Sequence, residues 1–358
     1  MARKEYYSYN PDYSVPPGAT LKEAMDLLNM GIKDLSLRTG LTEQSIIRII
    51  NGKQPITYAT AQKIEPVTGI SAEFWNNLES HYQERLHKKT ILEKRKQLEK
   101  FLNKFPLTEL VSRGYINSTS NLVEEAYELF KFFQICSIEA FDAVWKKPVI
   151  LARSSKCFKT NIEMAATWIR MGEIEAEKIP AKPFNKTKFN YTLNKIRTIT
   201  HNLPENFSST LIELFAECGV ALVLIPCLDK VPWNGASKWI KDDKAMIILN
   251  NRGKGEDKFW FSLFHETAHI LKHSKKEIWI ADKDYSDPKE EEADKFAAEF
   301  LIPAKYNERI ININSEIDII SIADELSISP AIVVGRYHHL TGRWNQYNHL
   351  IKKIELGL

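Results

Sequence analysis

The stretch Phe259–His273 reads FWFSLFHETAHILKH. It sets His265 and His269 four residues apart, places Glu266 beside the first, and surrounds all three with apolar residues. On a helix, residues four apart lie one turn apart on the same face. Two neutral imidazole nitrogens then reach a single zinc ion at about 2 Å. Glu266 is rotated about 100° from His265, which suits it to hold a water and accept its proton. The same letters also describe a core helix whose histidines are merely hydrogen-bonded. A third ligand in the right place separates the two readings.

Residues 289–303, KEEEADKFAAEFLIP, supply that ligand. Ala293, Phe296, Ala297 and Phe300 define the apolar face of a second helix. At about 100° per residue, Glu290 falls beside that face, Glu291 far round the helix, and Glu292 on the flank with Glu299. Glu290 is therefore the carboxylate expected to point inward. Asp294 lies one turn later on the same side, suited to accept a hydrogen bond from a ligand histidine. Two histidines and one glutamate leave a fourth position for water, the catalytic pattern of zinc sites. His273 stands about 12 Å along the helix from His265, too far to share the ion, and reads as a supporting histidine.

Upstream, STLIELFAECG has helical periodicity, while VALVLIP and KAMIILN are apolar runs of strand length separated by Pro226, Pro232 and Gly235. A small sheet is expected, with AMIILN as an edge strand against which an extended peptide pairs. Downstream, IISIADELSISPAIVVGRYHHL reads as two short helices around a Ser-Ile-Ser-Pro turn, a segment of helix-turn-helix type.

The paired stretches LFHETAHILKH and EEEADKFAAEFLIP, with ECGVALVLIPCL and ISIADELSISPAIVVGRYHH around them, resemble the ImmA/IrrE metallopeptidases. The resemblance spans roughly residues 210–345. It implies a zinc endopeptidase with Zn2+ held by His265, His269 and Glu290, and with Glu266 as general base. It further implies metal-assisted hydrolysis of a peptide bond, Glu266 taking the water's proton and returning it to the leaving amine. Asp294 stands where that family usually has asparagine; either accepts a hydrogen bond. The sequence singles out no oxyanion donor; Tyr285, Tyr306 and His273 are the candidates it offers.

The N-terminal region is a series of short helices. TLKEAMDLLNM begins at Thr20, its expected cap, IKDLSLRTG stops at Gly40, and a third helix begins at Thr42 with Ile46, Ile49 and Ile50 turned inward. These are helix-turn-helix proportions. The run from Leu35 to Tyr82 resembles the HigA-type antitoxin branch of the XRE family. That resemblance implies a homodimer whose third helix enters the DNA major groove, presenting Thr42, Glu43, Gln44, Ser45 and Arg48. Gln44 is suited to adenine, and Arg48 and Lys53 to phosphate or base.

The whole chain is 358 residues with 44% hydrophobic and 27% charged residues, ordinary proportions for a globular protein of more than one domain. A net charge of +3 is too mild to mark a nucleic-acid binder, so any basic surface must be local. Cys136, Cys157, Cys218 and Cys227 lack metal-type spacing and are expected to be four buried thiols. With no apolar leader and no run of about 20 apolar residues, a cytoplasmic location without membrane contact is expected. Residues 81–105 hold eight Lys or Arg against three Glu, a solvated helical connector.

The expected architecture is multidomain and mainly α. A five-helix head occupies 15–85, a helical connector 86–200, and an α+β metallopeptidase domain with a small sheet 201–350. The expected function is a regulatory zinc endopeptidase with a DNA-binding head, its partners operator DNA and a protein substrate that regulates transcription. The other reading is a non-enzymatic, antitoxin-like regulator whose metal domain senses a metal or ligand.

Overall fold

A computed structural model describes residues 15–93, 95–146, 162–226, 228, 233–250, 255–273, 278–280 and 288–354. Cys157, Cys227 and Tyr285 lie outside the described residues. The rest fall into two compact units. The first ends at Lys100 and takes in Ser120–Glu124; the second comprises Phe101–Thr119 and the chain from Glu125 onward.

The first unit contains α1 (Pro17–Leu27), α2 (Ile32–Thr39), α3 (Glu43–Ile50), α4 (Tyr58–Thr68) and α5 (Ala72–Glu93), followed by α6 (Arg95–Leu102). Leu21, Leu35, Ile46, Ile49, Ile64 and Trp75 are among the buried residues at its centre. α1 begins earlier than expected. Pro17 occupies its first turn, where a fixed φ and a missing N–H cost nothing, so Thr20 lies inside the helix and does not cap it. α2 stops at Gly40, whose φ of 68° suits a residue without Cβ. Thr42 caps α3, its hydroxyl accepting from the Ser45 amide at 3.1 Å. α5 runs unbroken into the basic stretch, so the charged segment from 81 continues a helix of the head.

The second unit is built on a mixed four-stranded sheet of order β1-β3-β2-β4. Its strands are β1 (Val220–Leu224), β2 (Gly235–Lys241), β3 (Lys244–Leu249) and β4 (Ile278–Ile280). β3 runs parallel to β1 and antiparallel to β2, which also pairs with β4. The AMIILN strand is therefore interior, hydrogen-bonded on both sides, and is not the expected peptide-pairing edge. Its parallel pairing with β1 seals the side that the sequence left open.

Helices α7 (Leu107–Ser112), α8 (Leu122–Phe133), α9 (Ile138–Phe141), α10 (Ile162–Lys178), α11 (Lys186–Ile199) and α12 (Phe207–Ala216) precede the sheet. Strand alternation assigns its two faces. Ala245, Ile247 and Leu249 join the main core with Trp260, Leu263 and Phe264 of α13 (Glu256–Lys272). Met246 and Ile248 face the other way, onto α10. A Cβ on Gly172 of α10 would come within 2.1 Å of the Ile248 side chain, which shows how closely that helix approaches. α10 is buried along most of its length and covers one face of the sheet, although it falls within the stretch expected as a connector. α13 covers the other face.

After β4 come α14 (Pro288–Leu301), α15 (Asn307–Ile311), α16 (Glu316–Leu326) and α17 (Pro330–Thr341). A reciprocal capping box between Ser315 and Asp318 starts α16, and Ser329 caps α17 behind the Ser-Ile-Ser-Pro turn. Cys218 is buried, but Cys136 is exposed, so the expectation of four buried thiols fails there. Among the described residues, no helix is long and apolar enough to cross a membrane.

In the head, α1 crosses α3 almost backbone to backbone: a Cβ on Gly18 would sit 1.9 Å from the Ile49 carbonyl oxygen. Gly18→Ala is expected to force the helices apart and destabilise the head by about 1–3 kcal/mol. Denaturant unfolding of the full chain, followed at the Trp75 fluorescence, checks this; an unchanged midpoint would contradict the close crossing.

Candidate metal centre

The apolar residues that make α13 a core helix also strip water from the polar residues it carries. His265, Glu266 and His269 are all buried, Glu266 completely. α14 lies along α13 because Ala293 and Ala297 present almost no side chain at the contact, and Phe300 stacks on Phe264 at 5.1 Å between ring centres. Two arginines hold the far end of α14. Arg197 donates to the Leu301 carbonyl oxygen and Arg336 to those of Ala298 and Ile302, adding side-chain donors at the carbonyl end of the helix.

This packing carries Glu290 into the α13 surface. Its Oε2 lies 3.0 Å from His265 Nε2, its Oε1 3.5 Å from His269 Nε2, and the two Nε2 atoms are 3.1 Å apart. The three groups offer ligand atoms that all lie within 4.8 Å of one another. A tetrahedral zinc site with bonds near 2.1 Å has ligand–ligand edges of about 3.4 Å. The spacing therefore fits one divalent cation with little adjustment, and the nitrogen and oxygen donors are those zinc accepts.

The electrostatics point the same way. Burial pushes the His265 imidazolium down, but Asp294 and Glu290 outweigh it and hold the ring's pKa up at about 10. Burial drives His269 to about 4. Burial alone would lift Glu290, yet the two imidazoles keep it at about 2. In the metal-free protein a proton on His265 thus balances the Glu290 carboxylate. A cation bound there displaces that proton, so binding must release acid.

Around the cluster, Asp294 Oδ1 accepts from His265 Nδ1–H at 2.8 Å. His269 Nδ1 lies 2.8 Å from His273 Nδ1, and His273 Nε2–H donates to Glu292 at 3.3 Å. Of the candidate oxyanion donors, Tyr306 donates its hydroxyl to Glu325. Three contributors were not foreseen. Gly235 and Ser237 of β2 face Glu266; a Cβ on Gly235 would lie 2.7 Å from Glu266 Oε1, so only glycine leaves room for the carboxylate. Glu292, assigned to the flank of α14, is the third. The alternation of GASKWIK was the available signal for the first two, but its few apolar residues concealed the strand.

Glu266 itself is anomalous. The Ser237 hydroxyl lies close enough to favour the ionised form, yet neither carboxylate oxygen completes a hydrogen bond of ordinary geometry with the protein. Burial accordingly raises its pKa to about 8. A purely structural role does not call for a fully buried carboxylate without a well-formed hydrogen bond, because the arrangement is destabilising whenever the group ionises.

In the head, Glu43, Gln44, Arg48 and Lys53 are exposed and Ser45 is partly buried. The Ser45 hydroxyl accepts from Gln54 Nε2 at 2.7 Å, and the Thr42 hydroxyl is engaged as the α3 cap. The outer face of α3 thus presents Glu43, Gln44 and Arg48 as its long polar side chains.

Comparison with known proteins divides the chain in the same way. Residues 227–338 match the IrrE N-terminal-like domain of the Peptidase_M78 family, and residues 21–75 match a helix-turn-helix domain. Over 75 residues the chain is 27% identical to an uncharacterized HTH-type transcriptional regulator, YddM, of Escherichia coli K12, covering 21% of this chain and 80% of that protein. Among solved structures, an addiction module antidote protein of the HigA family from Coxiella burnetii is 28% identical. That match covers 24% of this chain and 92% of the antidote, with a TM-score of 0.22.

In the folded metal-free protein Glu266 has a pKa of about 8, against roughly 4.3 for an unfolded glutamate. The folded state therefore binds more protons between these values, and stability falls as pH rises through them. Glu266→Gln, uncharged throughout, is expected to match the parent near pH 4.5. It should gain stability relative to the parent as pH rises towards 8. Urea unfolding of chelator-treated protein across that range checks this; a difference independent of pH would contradict a fully buried carboxylate.

Proposed function

From a chain that carries an IrrE-like peptidase-family domain behind a helix-turn-helix domain, we propose a regulatory zinc endopeptidase with a DNA-binding head. The observation that carries this reading is the fully buried Glu266 carboxylate, beside Ser237, set next to a buried pair of histidines and a buried glutamate. A site that only sensed metal has no use for such a group. A hydrolase needs one, since a carboxylate held beside the ion is placed to take a proton from water and return it.

His265, His269 and Glu290 would hold the ion, oriented by Asp294 and His273. When bound, zinc supplies Lewis acidity, which polarises a peptide carbonyl and acidifies water. The chain's own residues do the rest. Glu266 accepts the proton of the attacking water on a carboxylate oxygen, then delivers it to the leaving amine nitrogen as the peptide bond breaks. Gly235 leaves the space in which that carboxylate sits, and the apolar faces of α13 and β3 exclude bulk water. The substrate class favoured by the accompanying head is a protein that regulates transcription.

In the head, α3 is the element proposed to enter the major groove. Gln44 and Arg48 reach base edges, Lys53 reaches phosphate, and Thr42, Glu43 and Ser45 fix the start of the helix. A homodimer through the head would place two such helices on one operator. The domain limits that serve these roles are 15–85 for the head and 201–350 for the peptidase, the latter completed by α10 and α11 from the region between.

Two tests follow. Metal analysis is expected to return one zinc per chain, lost in His265→Ala and Glu290→Ala but retained in Glu266→Gln. Proteomes of cells carrying the parent or Glu266→Gln should differ by a specific cleaved protein, with turnover of it reduced about 10²–10⁴-fold in the variant. Equal cleavage by both would eliminate the peptidase role. Separately, genomic fragments captured by the parent should bind Arg48→Ala more weakly by about 1–3 kcal/mol, with zinc content unchanged. Undiminished capture would remove α3 as the reading helix.

A further inference from the structure

The two histidines of the centre are oriented by different means. His265 Nδ1–H meets a carboxylate directly, on Asp294. His269 does not. Its Nε2 faces Glu290 and His265, so the proton on a coordinating ring must sit on Nδ1, which lies 2.8 Å from His273 Nδ1. His273 can accept there only if its own proton is on Nε2. That atom faces Glu292 Oε2 at 3.3 Å. The two rings are 4.9 Å apart between centres, and the His273 side chain is 3% exposed, so the middle of the chain is buried. Lys272 Nζ grips the other carboxylate oxygen, Glu292 Oε1, at 2.9 Å and leaves Oε2 for His273. Each donor–acceptor direction is compatible with neutral rings and an ionised carboxylate.

We propose that Glu292, acting through His273, is a positioning residue for the metal centre. It fixes the tautomer and orientation of His269 from a carboxylate two hydrogen bonds removed from the ion. The inference rests on the metal-site reading above. Its physical content is that a ligand imidazole whose far N–H is held by an acceptor is pre-oriented and a stronger donor. One ligand thus takes its acceptor from an adjacent acid. The other takes it by relay from an acid that is itself at the surface and held by a lysine.

The experiment is a zinc titration in competition with a chromophoric chelator, using the full-length parent, Glu292→Ala, Glu292→Gln, Glu291→Ala, His273→Leu and the double variant His273→Leu with Glu292→Ala. Glu292→Ala is expected to weaken zinc about tenfold, within the usual range for residues that support ligands. Glu292→Gln, which keeps an acceptor oxygen, should recover part of the loss. Glu291→Ala removes the same charge from the neighbouring exposed position and should leave affinity unchanged. Because Glu292 acts only through His273, adding Glu292→Ala to His273→Leu should cost nothing further. An unchanged affinity in Glu292→Ala, or a loss equal to that of Glu291→Ala, overturns the relay. So does a loss that persists in the His273→Leu background, which would mean simple charge attraction. If His273→Leu does not fold, the comparison of Glu292→Ala with Glu291→Ala decides alone. A parent that binds no zinc instead overturns the metal centre itself, a result separable from failure of the relay.

Discussion

Taking carboxylates and imidazoles out of water is costly unless each charge meets an opposite one. The second unit is organised around that constraint. α13 is coated with apolar residues and lies between the sheet and α14, so His265, His269 and Glu290 lose their hydration together. They can be buried only by sharing a proton or a cation. Everything that brings α14 against α13 serves this convergence: the small Ala293 and Ala297, the Phe264–Phe300 stack, and the two arginines that donate to the carbonyl end of α14. Among the described residues of this centre, Glu266 and the neighbouring Ser237 hydroxyl are left without a hydrogen bond of ordinary geometry, a cost the fold tolerates here.

The head solves a simpler problem. Five short helices enclose a small core, with chain reversals at Gly40 and Asn51-Gly52 and a crossing at Gly18 too close for a side chain. Its outward polar residues on α3 carry little of its stability. They are therefore free to be chosen for recognition, the division between scaffold and reading surface typical of helix-turn-helix units.

How much of this was legible in the sequence depends on range. The histidine pair and Glu266 follow from spacing alone. Glu290 and Asp294 follow from helical phase, because that helix is straight and its apolar face unambiguous. Glu292 illustrates where phase fails. It does lie on the exposed flank, with half its side chain in solvent, but its carboxylate reaches across to His273. A helical wheel reports direction and says nothing of reach. β2 was missed because GASKWIK shows little apolar alternation. One of its faces lies under Glu266, and the other carries Lys238, which pairs with Glu173 of α10. Its strand character comes from pairing on both sides. For the same reason β3 was misjudged as an edge: strand order is set by contacts distant in sequence. α10 was read as connector because periodicity identifies a helix without identifying the sheet it covers.

X-ray absorption at the zinc edge of the loaded, full-length protein interrogates the convergence most directly. Two imidazole nitrogens with only oxygen donors besides, at distances near 2.0–2.2 Å, are expected, and the imidazole scattering should drop by one ring in His269→Ala. A shell containing sulfur, or one unaltered by loss of His269, would show that the ion sits elsewhere and that the buried cluster serves only to hold two helices together.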